Sequence, residues 1–168
     1  MLIVISGLPA TGKTTLAAAL ARHARAVHLS VDTVEDAMLR CGLEHGWTTG
    51  VAAYEAVSAA ARQNLSLGLT VVVDAVNDSE PARQVWRDAA ASCGVELRFV
   101  LLVPPATSEH QRRLRVRQRG LDLLPEPSWR QVEARAAGYE PWPDAPLALL
   151  ADEPVETLVQ RLVHELAR

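Results

Sequence analysis

One segment near the start of the chain restricts its possible folds more than any other. It reads Gly7-Leu8-Pro9-Ala10-Thr11-Gly12-Lys13-Thr14 and matches the pattern G-x-x-x-x-G-K-[ST] at every fixed position. The motif has meaning only between a strand and a helix, and here an aliphatic run precedes it and an alanine-rich segment follows it. Its two glycines allow backbone angles at which successive N–H groups point at one anion. We therefore predict a phosphate-binding loop within an α/β fold, rather than a glycine turn that matches by chance.

Lys13 is the only lysine among the 17 basic residues. A lysine is a compact point charge and an arginine is a planar fork, so a lone lysine indicates that the chemistry at this position requires one. In such a loop the lysine reaches the outer phosphates, and the hydroxyl of Thr14 binds Mg²⁺. The start of the next helix adds partial positive charge. The predicted nucleotide-binding residues of the loop are Gly7, Leu8, Pro9, Ala10, Thr11, Gly12, Lys13, Thr14 and Thr15.

Short apolar runs alternate with segments of helical period along the chain. The runs predict strands over 2–6, 26–30, 69–74, 95–103 and 147–151. The helical segments are 13–24, 32–40, 51–67, 80–93, 107–119, 128–137 and one that opens at Pro154. Alternation of this kind predicts three layers, with a five-stranded parallel sheet between helices. We expect a single domain over residues 1–168, with its ligand at the carboxyl ends of the strands.

Two carboxylates follow predicted strands at that edge of the sheet. Asp32 can accept a proton from an attacking hydroxyl, although its spacing from Glu35 equally fits a helix N-cap, and both roles can coexist. Asp74 ends the run Val71–Asp74 and can support Mg²⁺ through a water. The alternative for Asp74 is a tether that holds the helix after the phosphate loop by hydrogen bonds. Asn77 is a weaker candidate for positioning a substrate or a water.

The densest charge in the chain is the arginine-rich stretch 111–120. On a helix Arg113 and Arg117 lie four residues apart and share a face. Arg112 and Arg119 lie in the same stretch, and the sequence does not settle the register. The same stretch also fits a solvated basic helix or a patch that touches nucleic acid.

The phosphate loop, followed by Ser30-Val31-Asp32 and the helical segment 33–38, resembles small P-loop kinases. The stretch is close to chloramphenicol phosphotransferase, and polynucleotide kinase and zeta toxins share its layout. The resemblance covers most of the chain, but only the phosphate loop is highly specific. It implies that Asp32 is the general base. It also implies an arginine-rich lid at about 107–140, in which one arginine packs on adenine and another meets the transferring phosphate. By position these are Arg113 and Arg117, with Arg112 and Arg119 as alternatives.

The remaining sequence features narrow the classes of function. A net charge of −3 disfavours a protein that coats nucleic acid. The two isolated cysteines and the absence of a signal peptide predict a cytoplasmic protein with reduced thiols, and no stretch approaches the length of a membrane span. Five scattered histidines show no zinc-site spacing. Trp47 either stacks on a substrate ring or packs in the core.

The sequence therefore predicts a kinase that uses ATP and Mg²⁺ to phosphorylate a hydroxyl of a small antibiotic, nucleoside or sugar. On this hypothesis residues 43–64 contribute to a closed acceptor pocket. A kinase of 5′-hydroxyl nucleic-acid ends is the first alternative, and a non-catalytic nucleotide switch is the second. A GTP switch is disfavoured because the guanine motif Asn-Lys-x-Asp needs a second lysine. The sequence does not indicate the oligomeric state.

Overall fold

A computed structural model describes residues 1–166 and alternates strands with helices in the predicted order. The strands are β1 (Leu2–Ser6), β2 (Val27–Ser30), β3 (Val71–Asp74), β4 (Leu97–Val103) and β5 (Leu147–Leu150). The helices are α1 (Lys13–Ala24), α2 (Val31–Arg40), α3 (Trp47–Ser66), α4 (Glu80–Cys93), α5 (Thr107–Val116), α6 (Trp129–Ala137) and α7 (Val155–Leu166). None of the helices within residues 1–166 is long and apolar enough to cross a membrane.

The five strands form one parallel sheet in the order β2-β3-β1-β4-β5. β1 is central, with Ile5 paired to Asp74 of β3 on one side and to Val100 of β4 on the other. On β2, Ser30 pairs with Asp74. The phosphate loop, Asp32 and Asp74 therefore meet at the carboxyl edge of neighbouring strands, as the sequence predicts.

Side-chain alternation along β1 divides the core between the two faces of the sheet. Ile3 and Ile5 face a cluster that includes residues of α1 and α7. Leu2 and Val4 face the opposite cluster, which includes residues of α3 and α4 with Trp86 fully buried. Both faces are covered, which explains why β1 is a continuous apolar run. The predicted three-layer P-loop fold is confirmed.

Two helix boundaries differ from the predictions by more than one residue. α3 begins at Trp47 rather than at 51, because Gly46 is its N-cap and Gly50 continues the helix. α5 ends at Val116 rather than at 119, and Arg117 has an extended backbone with φ −62° and ψ 131°. The lid (residues 107–140) is therefore α5, an extended lid segment (residues 117–128) and α6. Ser128 and Gln131 form the expected capping box of α6.

Candidate functional site

The phosphate loop wraps tightly between β1 and α1. Gly7 has a φ of 142°, and a Cβ at this position would lie 2.6 Å from the backbone oxygen of Leu102 on β4. Only glycine fits such a close approach of two backbones. Thr11 Oγ1 and Lys13 Nζ each donate a hydrogen bond of 2.9 Å to the carbonyl of Leu8. Ala10 adopts a left-handed conformation with φ 63°, which costs a non-glycine residue about 1–2 kcal/mol.

Lys13 is the buried positive charge of this loop, with 7% of its surface exposed. Burial lowers its pKa from 10.5 to about 8, while the carboxylates of Asp32 and Asp74 act in the opposite direction. A bound phosphate would supply the negative charge that a buried ammonium group lacks. The residues present therefore fit an anion at this position.

Asp74 lies beside the phosphate loop and accepts hydrogen bonds from three side chains on two elements, α1 and β2. Thr14 Oγ1 donates to Asp74 Oδ2 at 2.7 Å, Ser30 Oγ donates to the same oxygen at 3.3 Å, and His28 Nε2 lies 2.7 Å from Asp74 Oδ1. Because Thr14 gives its proton to Asp74, the lone pairs of Thr14 Oγ1 are free to bind a cation. The tether that the sequence left as an alternative for Asp74 is present, and it is compatible with Mg²⁺ at Thr14.

The part of the chain that the structure describes contains no group of three or more His, Cys, Asp or Glu residues suited to hold a metal ion. Mg²⁺ accompanying a nucleotide needs only one or two protein ligands, because phosphate oxygens and waters complete its shell. The hydroxyl of Thr14, with Asp74 behind it, fits this requirement.

Asp32 lies in the first turn of α2, and Ser30 is the N-cap residue of that helix. The alternative that Asp32 caps the helix is therefore wrong. Its carboxylate faces the lid instead, where Arg119 Nη1 donates to Asp32 Oδ2 at 2.9 Å. Arg117 Nη2 lies 3.8 Å from the same oxygen. Arg119 was only an alternative at the level of sequence, yet it makes the closest lid contact with Asp32.

The predicted arginines lie on different parts of the lid. Arg113 is on α5 and donates to Glu109 at 2.8 Å. Arg117 is beyond the helix end, so the predicted shared helical face is wrong, but both side chains line the same cleft. Arg112 is exposed and pairs with Glu109. Hydrogen bonds from Arg112 and Arg113 lower the pKa of Glu109 to about 2. Arg117 and Arg119 also share Glu126.

Asp36 attaches the extended lid segment to α2. Its side chain is fully buried, and Oδ1 accepts the backbone N–H groups of Leu123 and Leu124 at 2.8 and 2.9 Å. These two N–H groups lower the pKa of Asp36. Arg40 lies 3.3 Å from Oδ2. Asp36 was not among the predicted site residues, and its only sequence signal is an acidic residue three positions before Leu39 on the buried face of α2.

His110 attaches the other end of the lid to the phosphate loop. It is 3% exposed, and its Nε2 lies 2.7 Å from the carbonyl oxygen of Pro9. Its ring also packs edge-on against Trp129 of α6. This buried histidine therefore joins both lid helices to the loop, and no spacing pattern in the sequence indicates it.

The lid, the phosphate loop and α2 enclose one main cleft of about 410 Å³. Charged side chains line it, namely Lys13, Asp32, Arg113, Arg117 and Arg119. Apolar side chains, including Leu102 and Val155, line it as well. No residue between 43 and 64 lines this cleft, so the expected contribution of that segment to an acceptor pocket is not found there. Trp47 is 82% exposed, which rules out core packing.

Asn77, the weaker candidate, and the buried side chain of Arg83 have structural contacts away from this cleft. Asn77 is fully buried, donates to Ser6 Oγ and accepts from Trp86 Nε1. Arg83 is fully buried as well and donates to the carbonyls of Asn77, Glu140 and Pro141, while its guanidinium lies 4.0 Å from the ring centroid of Trp142. Asn77 and Arg83 fasten the chain after α6 to the end of β3.

Comparisons with known proteins agree with this geometry. A sugar kinase from Janibacter sp. HTCC2649 is 19% identical, with a TM-score of 0.74 over 99% of this chain and 94% of that one. The APS kinase CysC of Mycobacterium tuberculosis, in complex with AMPPNP and APS, is 19% identical, with a TM-score of 0.72 over 99% and 97%. Kti12 of Chaetomium thermophilum, in complex with ADP-AlF3, is 21% identical, with a TM-score of 0.71 over 98% of each chain.

These likenesses establish the fold, and the finer resemblance to chloramphenicol phosphotransferase, polynucleotide kinase and zeta toxins stays a prediction. No curated protein sequence matches the chain. The family model described as an AAA domain matches residues 2–140, which include the phosphate loop, Asp32, Asp74 and the lid. The chain is thus a member of the AAA domain family.

Proposed function

We propose that the protein is an ATP-dependent phosphotransferase that moves the γ-phosphate onto a hydroxyl of a small molecule. The observation that carries this proposal is the composition of the main cleft. One space is lined by the phosphate-loop lysine, by the carboxylate of Asp32 and by three lid arginines. Phosphoryl transfer requires positioning, charge neutralisation and a proton acceptor, and each requirement has a residue here.

The nucleotide fits the cleft in one direction. Its phosphates lie at the loop, where backbone N–H groups, the start of α1 and Lys13 face the anion. In this proposal its base contacts Arg113, Ala151 and Val155, which also line the cleft. A planar guanidinium stacks on a ring, and small apolar side chains cover the opposite face. When bound at Thr14, Mg²⁺ neutralises charge on the phosphates.

Asp32 is the proposed proton acceptor, and Arg119 covers it in this structure. For Asp32 to reach an acceptor hydroxyl, Arg119 must leave this carboxylate or shift along it. The hydroxyl then occupies the space between Asp32 and the phosphate loop. Asp32 takes its proton as the oxygen bonds to phosphorus. Arg113 and Arg117 neutralise the charge that develops on the transferred group.

The pairing of the lid arginines favours a small acceptor over a nucleic-acid end. Arg112 and Arg113 contact Glu109, while Arg117 and Arg119 contact Glu126 and Asp32. A basic surface that binds a phosphate backbone needs unpaired positive charge. In this part of the lid the charges are largely compensated, in agreement with the net charge of −3.

The proposal is tested by incubating the protein with γ-labelled ATP, Mg²⁺, a panel of small hydroxyl compounds and 5′-hydroxyl oligonucleotides. We expect label on a small molecule. Asp32→Asn should reduce the rate by about 10²–10⁴-fold and leave ATP affinity nearly unchanged, and Lys13→Ala should abolish transfer. Label on oligonucleotides only would establish the nucleic-acid alternative. ATP turnover with no labelled acceptor would instead favour a switch, and transfer by Asp32→Asn at the wild-type rate would refute the role of Asp32.

A further inference from the structure

His28 contacts Asp74 beside the phosphate loop, but it has no role in the proposed reaction. It projects from β2 and is 23% exposed, and its Nε2 lies 2.7 Å from Asp74 Oδ1, whose side chain is 3% exposed. An ionised carboxylate only accepts hydrogen bonds, so Nε2 carries the hydrogen.

The two oxygens of Asp74 have separate partners. Oδ2 accepts from Thr14 and Ser30, and Oδ1 faces His28. The terminal torsion of an aspartate has a broad energy minimum, so partners on one oxygen alone leave the carboxylate plane loosely held. A donor on Oδ1 from a different residue fixes that plane. His28 therefore determines the direction in which Oδ2 presents its lone pairs to Thr14.

The hydroxyl of Ser30 bonds to Asp74 instead of capping its own helix. Serine is among the best N-cap residues, and a capping hydroxyl stabilises a helix by about 1 kcal/mol. Ser30 is the N-cap of α2, yet its side chain makes no capping hydrogen bond and its hydroxyl points to Asp74 instead. Two side chains of β2 thus converge on one carboxylate of β3.

The orientation of Asp74 matters because of the Thr14 proton. A threonine hydroxyl can offer a lone pair to a cation only when its hydrogen points elsewhere. Asp74 Oδ2 takes that hydrogen at 2.7 Å. We propose that His28 is a positioning residue that holds Asp74 in the orientation which keeps Thr14 ready to bind the Mg²⁺ of a bound nucleotide. This inference rests on the proposed function, since it concerns the metal that accompanies ATP.

The test measures metal binding rather than turnover. The affinity of the full chain for a fluorescent, non-hydrolysable ATP analogue is determined in EDTA, and Mg²⁺ is then titrated at a fixed analogue concentration. His28→Leu should raise the Mg²⁺ midpoint about tenfold, because loss of such a supporting partner costs about 10–100-fold in metal affinity. Its affinity for the analogue in EDTA should equal that of the wild type. His28→Gln, which keeps a donor at a similar reach, should restore most of the Mg²⁺ response.

His23→Leu is the matched control, because His23 is an exposed histidine on α1 outside the site, and its midpoint should equal that of the wild type. If His28→Leu does not fold, His28→Asn replaces it, since asparagine is polar but too short to reach Asp74. An unchanged or lower Mg²⁺ midpoint overturns the inference, and so does an equal loss of affinity with and without metal. If the wild type itself shows no Mg²⁺-dependent binding, the proposed function fails as well, and the two failures are therefore distinguishable.

Discussion

Nucleotide binding should weaken between pH 7 and pH 9, because the buried ammonium group of Lys13 loses its proton in this range. Burial lowers the pKa of Lys13 from 10.5 to about 8, and the nearby carboxylates of Asp32 and Asp74 offset only part of that shift. A charged lysine is the form that attracts the phosphates. The free protein must therefore reprotonate Lys13 on binding at high pH, and this requirement lowers the apparent affinity.

The size of the effect follows from the pKa. With a value of about 8, Lys13 is about 90% charged at pH 7 and about 10% charged at pH 9, so affinity should fall by up to about tenfold. The nucleotide contributes little to this change, because a terminal phosphate ionises with a pKa near 6.

The free energy of unfolding of the free protein should instead rise with pH because of the same group. Between pH 8 and 10.5 the unfolded chain binds the proton that folded Lys13 has lost, so the contribution of this group to the free energy of unfolding rises with pH across this window. Below pH 8 Lys13 is charged in both states, and its lowered pKa makes folding less favourable by a constant amount.

The assay is a titration of a fluorescent ATP analogue in EDTA at pH 7, 8 and 9. Lys13→Arg is the matched variant, since a guanidinium stays charged throughout this range. Its affinity, even if weaker than that of the wild type, should not change with pH. Equal wild-type affinity at pH 7 and pH 9 would contradict the assigned pKa. A parallel decline in Lys13→Arg would show that another group is responsible.

Three further substitutions test the structure around the site. Gly7→Ala should cost about 1–3 kcal/mol in the free energy of unfolding and abolish binding of the ATP analogue, because its Cβ would lie 2.6 Å from the backbone oxygen of Leu102. Gly68→Ala is the control, with a positive φ but open space around it, and it should bind normally. Asp36→Ala should speed trypsin cleavage within the extended lid segment, because two N–H groups lose a charged acceptor; unchanged cleavage would show that the lid is held elsewhere. Arg83→Met should lower stability by about 3–5 kcal/mol in urea unfolding, since a fully buried guanidinium is removed and three carbonyls lose their donor, and a loss under about 1 kcal/mol would contradict its structural role.

Several features of this protein are determined by short stretches of sequence. The phosphate loop needs two glycines, a lysine and a threonine at set spacings between a strand and a helix, and all of these lie within residues 2–24. Strand and helix periods depend on neighbouring residues, which is why the order of elements was predictable. Asp32 and Asp74 follow apolar runs, and parallel strands bring such positions to one edge.

The partners of those carboxylates were decided by tertiary structure alone. Arg119 and Asp32 are 87 residues apart, and they meet because α5 ends at Val116 and the extended lid segment folds back onto α2. A helical continuation to 119 would fit the local pattern equally well, so no local signal distinguishes the two. In the extended lid segment two backbone N–H groups donate to buried Asp36. This contact favours the extended segment, because an unpaired buried charge is costly. The sequence thus determined that a phosphate site and an acidic group share one sheet edge, whereas the packing of the lid against α2 decided which arginine meets that acid.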